Sequence, residues 1–222
     1  AWLGFPLTVV YVVFVCNALN LIDGIDGLAS GLAATGFIIY GFTFYMLGQY
    51  VYAMLSFASL GVLVPFFYYN VFGDPVKRKK IFMGDAGSLT IGLLLSFLSL
   101  HLFTAPSLNF GCFECNAFVV AVSPLIVPCF DVVRVFIGRV RKGNNPFLPD
   151  RTHIHHKLLS LGMPSRRAMV TIVSVALLFS IANICLANVL NITLLIVLDI
   201  LFWTLANIVL SRAIKARKLS AA

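Results

Sequence analysis

Seven apolar runs, each near the 20 residues that a helix needs to cross the hydrocarbon core of a bilayer, leave this 222-residue chain very few folds. They lie near residues 3–22, 28–47, 51–72, 88–104, 117–137, 168–187 and 192–210. Only helices and closed barrels satisfy every backbone group inside lipid, and these Leu, Val, Ile and Phe runs lack the alternation of barrel strands. Composition agrees, with 60% hydrophobic and 11% charged residues, where soluble domains carry about a quarter charged. The expected fold class is an all-α polytopic membrane bundle of about seven transmembrane helices, with residues 1–222 forming one domain.

Charge sets the orientation. Threading the seven runs puts all 16 Lys and Arg residues on one side, at 77–80, 134–142, 151, 157, 166–167 and 212–218. By the positive-inside rule that side is the cytoplasm. The opposite loops, around 48–50, 105–116 and 188–191, hold Glu114 as their one charged residue. The chain thus enters from outside and ends inside. It opens on Ala1 and Trp2 without a charged leader, so it is expected to begin inside a longer protein or after processing.

Three polar clusters fall on the cytoplasmic side. The first, Asn17-x-x-Asn20-x-x-Asp23-Gly24-x-Asp26-Gly27, places two carboxylates three residues apart, which share a face if the segment is helical. Two Asp-Gly turns between helices are the plainer reading. Against it stand Asn17 and Asn20, whose amides are costly in an apolar span without partners. In the second, Phe82-Met83-Gly84-Asp85-x-Gly87-Ser88, a carboxylate stands where a helix N-terminus favours anions. Asp85 there is either a helix cap or a ligand for Mg²⁺ that bridges to phosphate. The third, Asp150-Arg151-x-His153-Ile154-His155-His156, lies in a cytoplasmic loop at 138–167. Without a His-Glu-x-x-His pattern or a cysteine on this face, its imidazoles beside Arg151 and Lys157 fit phosphate at least as well as zinc.

Outside the clusters the signals are weaker. Pro124 and Pro128 should bend the fifth span, which then carries Asp131, Arg134 and Arg139 among apolar neighbours, either as a lipid-facing groove or as a snorkelling helix end. Cys16, Cys129 and Cys185 read as small hydrophobes, and Cys112 with Cys115 stands on the outer loop as a pair that could be oxidised or bind metal. Asp199 is an intramembrane acid with no evident partner in the sequence.

Taken in order, the motifs at 17–29, 82–88 and 149–156 resemble those of the polyprenyl-phosphate N-acetylhexosamine-1-phosphate transferases (glycosyltransferase family 4). The resemblance implies transfer of N-acetylhexosamine 1-phosphate, with N-acetylglucosamine favoured, from a UDP-sugar to undecaprenyl phosphate. UMP leaves, and a lipid-linked cell-envelope glycan is begun. It implies Mg²⁺ or Mn²⁺ as cofactor with Asp85 as metal ligand, Asp23, Asp26, Asp85, His153, His155 and His156 as the catalytic set, and Asn17, Asn20, Phe82, Asp131 and Arg151 as substrate-binding residues. Phe82 would pack on the nucleobase, and Arg151 with the histidines would meet the diphosphate. It further implies a bacterial inner (cytoplasmic) membrane location with a cytoplasmic site, a partner set of nucleotide sugar, polyprenyl phosphate and membrane lipid without nucleic acid, and a homodimer as one option for assembly.

One departure stands out. The family carries an Asp-Asp pair upstream of the matched region, and this chain has none. The expectation is a C-terminal portion lacking about four spans, which holds the nucleotide and metal half of a site. Three alternatives stay open: the muramoyl-pentapeptide branch of the same family, a transporter, and a metal-dependent lipid-phosphate hydrolase. The His-Ile-His-His form favours the acetamido-sugar branch over the first, and charges at the mouth rather than the midplane argue against the second.

Overall fold

A computed structural model describes residues 2–105, 108–109, 114–145 and 152–220. Helices α1 (Gly4–Ile22), α2 (Leu28–Met46), α3 (Tyr50–Phe72) and α4 (Gly84–Phe103) follow in order, and a two-residue antiparallel ladder, β1 (Leu108–Asn109) with β2 (Glu114–Cys115), crosses the next loop. The fifth span is α5 (Ala117–Val122), a 3₁₀ turn at Ser123–Leu125 and α6 (Ile126–Val140), and the chain ends in α7 (Ile154–Ser160), α8 (Ser165–Leu186) and α9 (Ile192–Ser220). Among the described residues, seven helical segments are long and apolar enough to cross a membrane, the split fifth span counted as one. The chain is a multi-pass membrane protein, helical as its composition demands, with the short ladder as the one addition among the described residues.

Two expected features take a different form. The fifth span breaks because Pro124 sits in the 3₁₀ turn, while Pro128 falls in the first turn of α6, where a backbone N–H has no helical acceptor to lose. The 138–167 loop is not irregular throughout, since its two ends belong to α6 and α8 and α7 lies within it.

The bundle is organised around α2, whose Phe37, Tyr40 and Phe44 have no exposed surface. With lipid on the outside, such packing is driven by close fit and internal hydrogen bonds rather than by exclusion of water. Close fit is clearest where α1 meets α4: a Cβ on Gly92 would lie 2.6 Å from the Cα of Cys16, so no side chain fits there. Polar links add to it, with the Tyr40 hydroxyl donating to the Ala121 carbonyl at 2.5 Å. Asp199 also has a partner that the sequence conceals: Asn183 Nδ2 on α8 donates to its Oδ2 at 2.8 Å, both side chains buried. Residues 16 apart across a helical hairpin are brought level by the turn, which no local spacing reveals.

At one end of the bundle the end of α1 meets the start of α4, and the start of α8 returns to the end of α3. There Arg166 donates to the Val71 carbonyl at 3.0 Å and its guanidinium stacks 5.0 Å above the Phe72 ring. The described residues of all three polar clusters are gathered at this end.

Candidate functional site

The site begins where α1 runs out. Residues 23–27 form a turn rather than a further helical turn, so Asp23 and Asp26 do not share a helix face as a helical reading would have it. The turn nevertheless brings both carboxylates to one pocket of about 310 Å³, together with Asn20, Phe82 and Asp85. Asn20 joins the first two clusters, its Nδ2 donating to Asp85 Oδ1 at 3.1 Å and to Ser88 Oγ at 2.9 Å. Asp85 stands in the first turn of α4 and does not cap it; the cap position is Met83, without a side-chain cap bond.

Burial, with the neighbouring Asp26 and Asp85 adding to it, pushes the Asp23 carboxyl up to about 6. A cation in the pocket would relieve both effects. Asp26 is already paired, accepting from Lys80 Nζ at 2.5 Å, and the same ammonium lies 5.5 Å from the centre of the Phe82 ring. Phe82 itself is exposed, so its ring is open to a flat ligand. Asn17 is not part of this pocket: it is exposed and its amide donates back to the Val13 carbonyl at 2.7 Å.

Sequence reasoning passed over Asn70, which lies near the end of α3, 15 residues before Asp85 and outside every motif. Its side chain is buried and ties the first cluster to the residue before the second, Oδ1 accepting from the Gly27 N–H at 2.6 Å and Nδ2 donating to the Ile81 carbonyl at 2.8 Å. A polar residue in the last turn of an apolar span was the available signal. Asn70→Ala would strand a buried N–H and carbonyl, and is expected to destabilise the chain by about 2 kcal/mol. Thermal unfolding in detergent checks this; Asn70→Asp, which keeps the acceptor, should recover part of the loss.

The third cluster packs against the first. The His155 ring lies directly over Gly24, close enough that a Cβ there would collide with Nε2. His155 is buried, and neither ring nitrogen has a hydrogen-bond partner among the described residues. Burial, with His156 and His153 adding to it, holds its pKa down to about 4, so the ring is neutral at pH 7. His153 and His155 are parallel, with ring centres 5.9 Å apart, and His156 lies 4.2 Å from His155.

Asp131 holds this arrangement in place. It has no exposed surface and accepts from His153 Nδ1 at 2.8 Å, from Arg134 Nη2 at 2.7 Å and from the Ile154 N–H at 3.2 Å. Arg134 also donates to the Thr152 carbonyl at 2.6 Å, so α6 clamps the start of α7. Asp131, expected to bind substrate, is placed here with its carboxylate on His153, Arg134 and the Ile154 N–H and with no exposed surface. Arg151 and Asp150 lie outside the described residues.

With the motif residues gathered in this way, likeness to known proteins becomes decisive. The family model described as "Glycosyl transferase family 4" matches residues 1–103. That stretch belongs to glycosyl transferase family 4. The chain is 36% identical over 185 residues to an undecaprenyl-phosphate alpha-N-acetylglucosaminyl 1-phosphate transferase of Yersinia pestis, an alignment covering 82% of this chain and 48% of the relative. It is 37% identical over 179 residues to the Escherichia coli K12 protein of the same name, with 80% and 47% covered. A Bacillus subtilis relative, a probable undecaprenyl-phosphate N-acetylglucosaminyl 1-phosphate transferase, is 34% identical over 190 residues, with 84% and 49% covered. The chain therefore spans about half the length of the curated relatives it matches.

Proposed function

We propose that this family 4 chain carries the nucleotide-sugar side of a site that transfers N-acetylglucosamine 1-phosphate from a UDP-sugar to undecaprenyl phosphate at the cytoplasmic face of a bacterial inner membrane. The observation that carries the reading is the convergence of Asp23, Asp26, Asp85 and Phe82 on one pocket with His155 packed against its wall at Gly24. In this reaction a phosphate oxygen of the lipid attacks the sugar-linked phosphorus; a P–O bond to the lipid forms, the bond to UMP breaks, and UMP leaves with the electron pair.

The donor set suits Mg²⁺. Among the described residues, no group of three or more His, Cys, Asp or Glu could enclose a metal. Mg²⁺ needs no such cage, because it is usually held by one or two carboxylates, with water and substrate phosphates completing its shell. Asp85 is the proposed ligand, with Asp23 across the pocket, and the bound ion would supply charge neutralisation on the diphosphate. Asn20 orients Asp85, Phe82 would offer its face to the uracil ring, and Lys80 holds Asp26 in an ion pair. Two unsatisfied nitrogens on a buried ring cost about 1–3 kcal/mol each, so a substrate oxygen or a water is the natural partner for His155.

UMP release from UDP-N-acetylglucosamine, by the longest native polypeptide that contains this chain, tests the reading. Release that requires both Mg²⁺ and undecaprenyl phosphate supports it; phosphate in place of UMP would make the protein a hydrolase, and no release with any UDP-acetamido sugar would overturn it. In the same assay Gly24→Ala is expected to lower turnover about 100-fold, since the new methyl displaces the His155 ring by an ångström or so. Helix content by circular dichroism should be unchanged, and turnover near the parent rate would remove the Gly24–His155 contact from the mechanism.

A further inference from the structure

A second feature lies away from the carboxylate pocket and shares none of its lining residues. Between α6 and α9 runs a cleft of about 870 Å³, with Phe130, Val133 and Ile137 on one wall and Ile200 and Trp203 on the other. At its polar end stand Arg134, Arg141, Lys157, Arg212 and Lys215, and there it opens into an adjoining pocket of about 550 Å³ that adds Arg139 and Lys142. Among the described residues no carboxylate lines either space.

Such a surface is made for an amphiphile with an anionic head. An apolar wall alone would face lipid chains, and cations alone would be ordinary anchors on the positive side. Here the two are continuous, and the cations bracket the cleft from both helices. Arg141, Arg212 and Lys215 have no acidic partner among the described residues, and Lys157 is held by the neutral groups Asn207 Oδ1 at 2.9 Å and Ser211 Oγ at 3.1 Å. Burial and the neighbouring Arg134 hold the Lys157 ammonium down to about 8, a cost that a nearby anion removes.

We propose that the cleft between α6 and α9 binds an anionic glycerophospholipid of the surrounding leaflet, with its phosphate among Arg141, Arg212 and Lys215 and an acyl chain between Phe130 and Trp203. The occupant is a resident lipid rather than a reacting one, because a reacting phosphate has to reach Asp23 and Asp85, which lie in a separate pocket. Arg134 connects the two places: it lines the cleft and is bonded to Asp131, which holds His153. A lipid seated there braces the histidine cluster from behind. The proposal stands whether or not the chain is a transferase.

Trp203 supplies the test. The chain has two tryptophans, so Trp2→Phe leaves the cleft residue as the one indole reporter. The chain is reconstituted in phosphatidylcholine vesicles doped with dibrominated phosphatidylglycerol or dibrominated phosphatidylcholine, and quenching of Trp203 is followed against mole fraction. The anionic lipid is expected to quench at about a tenfold lower mole fraction, and unbrominated phosphatidylglycerol should reverse it. Changing Arg141, Arg212 and Lys215 together to Gln should erase the tenfold preference. Equal quenching by both lipids in the parent would reduce the cleft to ordinary lipid contact and overturn the proposal. Reversal by undecaprenyl phosphate but not by phosphatidylglycerol would overturn it in favour of the polyprenyl lipid. Absence of quenching by either would mean that protein covers the cleft, and would overturn it as well.

Discussion

Asp85→Asn is expected to lower UMP release about 10³-fold in the longest native polypeptide while leaving the bundle intact. The reason is the contrast between what the swap keeps and what it removes. The amide has the shape of the carboxylate and can still accept from Asn20, which now reaches Asp85 Oδ1 at 3.1 Å, and the packing of α1 on α4 does not depend on its charge. What goes is the negative charge in a pocket whose other carboxylates are already burdened: Asp26 is neutralised by Lys80, and Asp23 is pushed up to about 6. A metal held chiefly by Asp85 would be lost, and with it the neutralisation of charge in the transition state, for which losses of 10²–10³ per stabilising group are usual, about 3–4 kcal/mol. Raising Mg²⁺ should restore little, because a single amide oxygen is a poor ligand for a hard cation. Turnover of the Asn variant within a few-fold of the parent would remove Asp85 from the chemistry.

Asp131→Ala is expected to destabilise the chain by about 3–5 kcal/mol, the largest stability effect that the structure foretells. Burying a carboxylate with no exposed surface is tolerable here because each of its oxygens is engaged by Arg134, His153 or the Ile154 N–H. Removing it leaves the Arg134 guanidinium without its counter-charge, His153 without an acceptor and the first N–H of α7 unpaired, which is why breaking such a pair costs more than forming it gains. Thermal unfolding in detergent measures the loss, and Asp131→Asn should fall between the parent and Ala. Activity should fall as well, through His153 and the neighbouring His155 rather than through lost substrate contact. An Ala variant that melts with the parent would show that the Asp131 network is incidental.

Much of the fold could be read before any coordinates, and the reasons are specific. Lipid forbids open backbone, so the apolar runs were helices by necessity, and the helical bounds at Gly4–Ile22 and Leu28–Met46 fall within a residue of the runs at 3–22 and 28–47. The fourth and sixth spans, α4 and α8, start earlier than the runs, at Gly84 and Ser165, because backbone hydrogen bonding continues into polar residues that hydropathy leaves out. In the candidate site, Asn20, Asp23, Asp26, Phe82 and Asp85 stood out as polar or motif-bound groups at span ends, and they line one pocket. Asn70 did not, although it holds Gly27 and Ile81 together, because its one signal, a lone amide in the last turn of an apolar helix, lies outside every motif. Asn17 matched the motif as well as Asn20 did, yet three residues along a helix turned its amide to the Val13 carbonyl and out of the pocket.

By itself the sequence determined that this chain crosses a membrane several times, which end is positively charged, and that its polar clusters share that end, because hydrophobicity and charge are properties of residues summed along a chain. Which groups touch was decided only in three dimensions. Lys80 reaching Asp26 across 54 positions, Asn183 reaching Asp199 across a turn, and His155 resting on the bare backbone of Gly24 each join segments whose separation in sequence carries no information about their distance. Helix packing fixes those distances, and it depends on the fit of side chains against each other, to which a linear pattern of polar and apolar residues is blind.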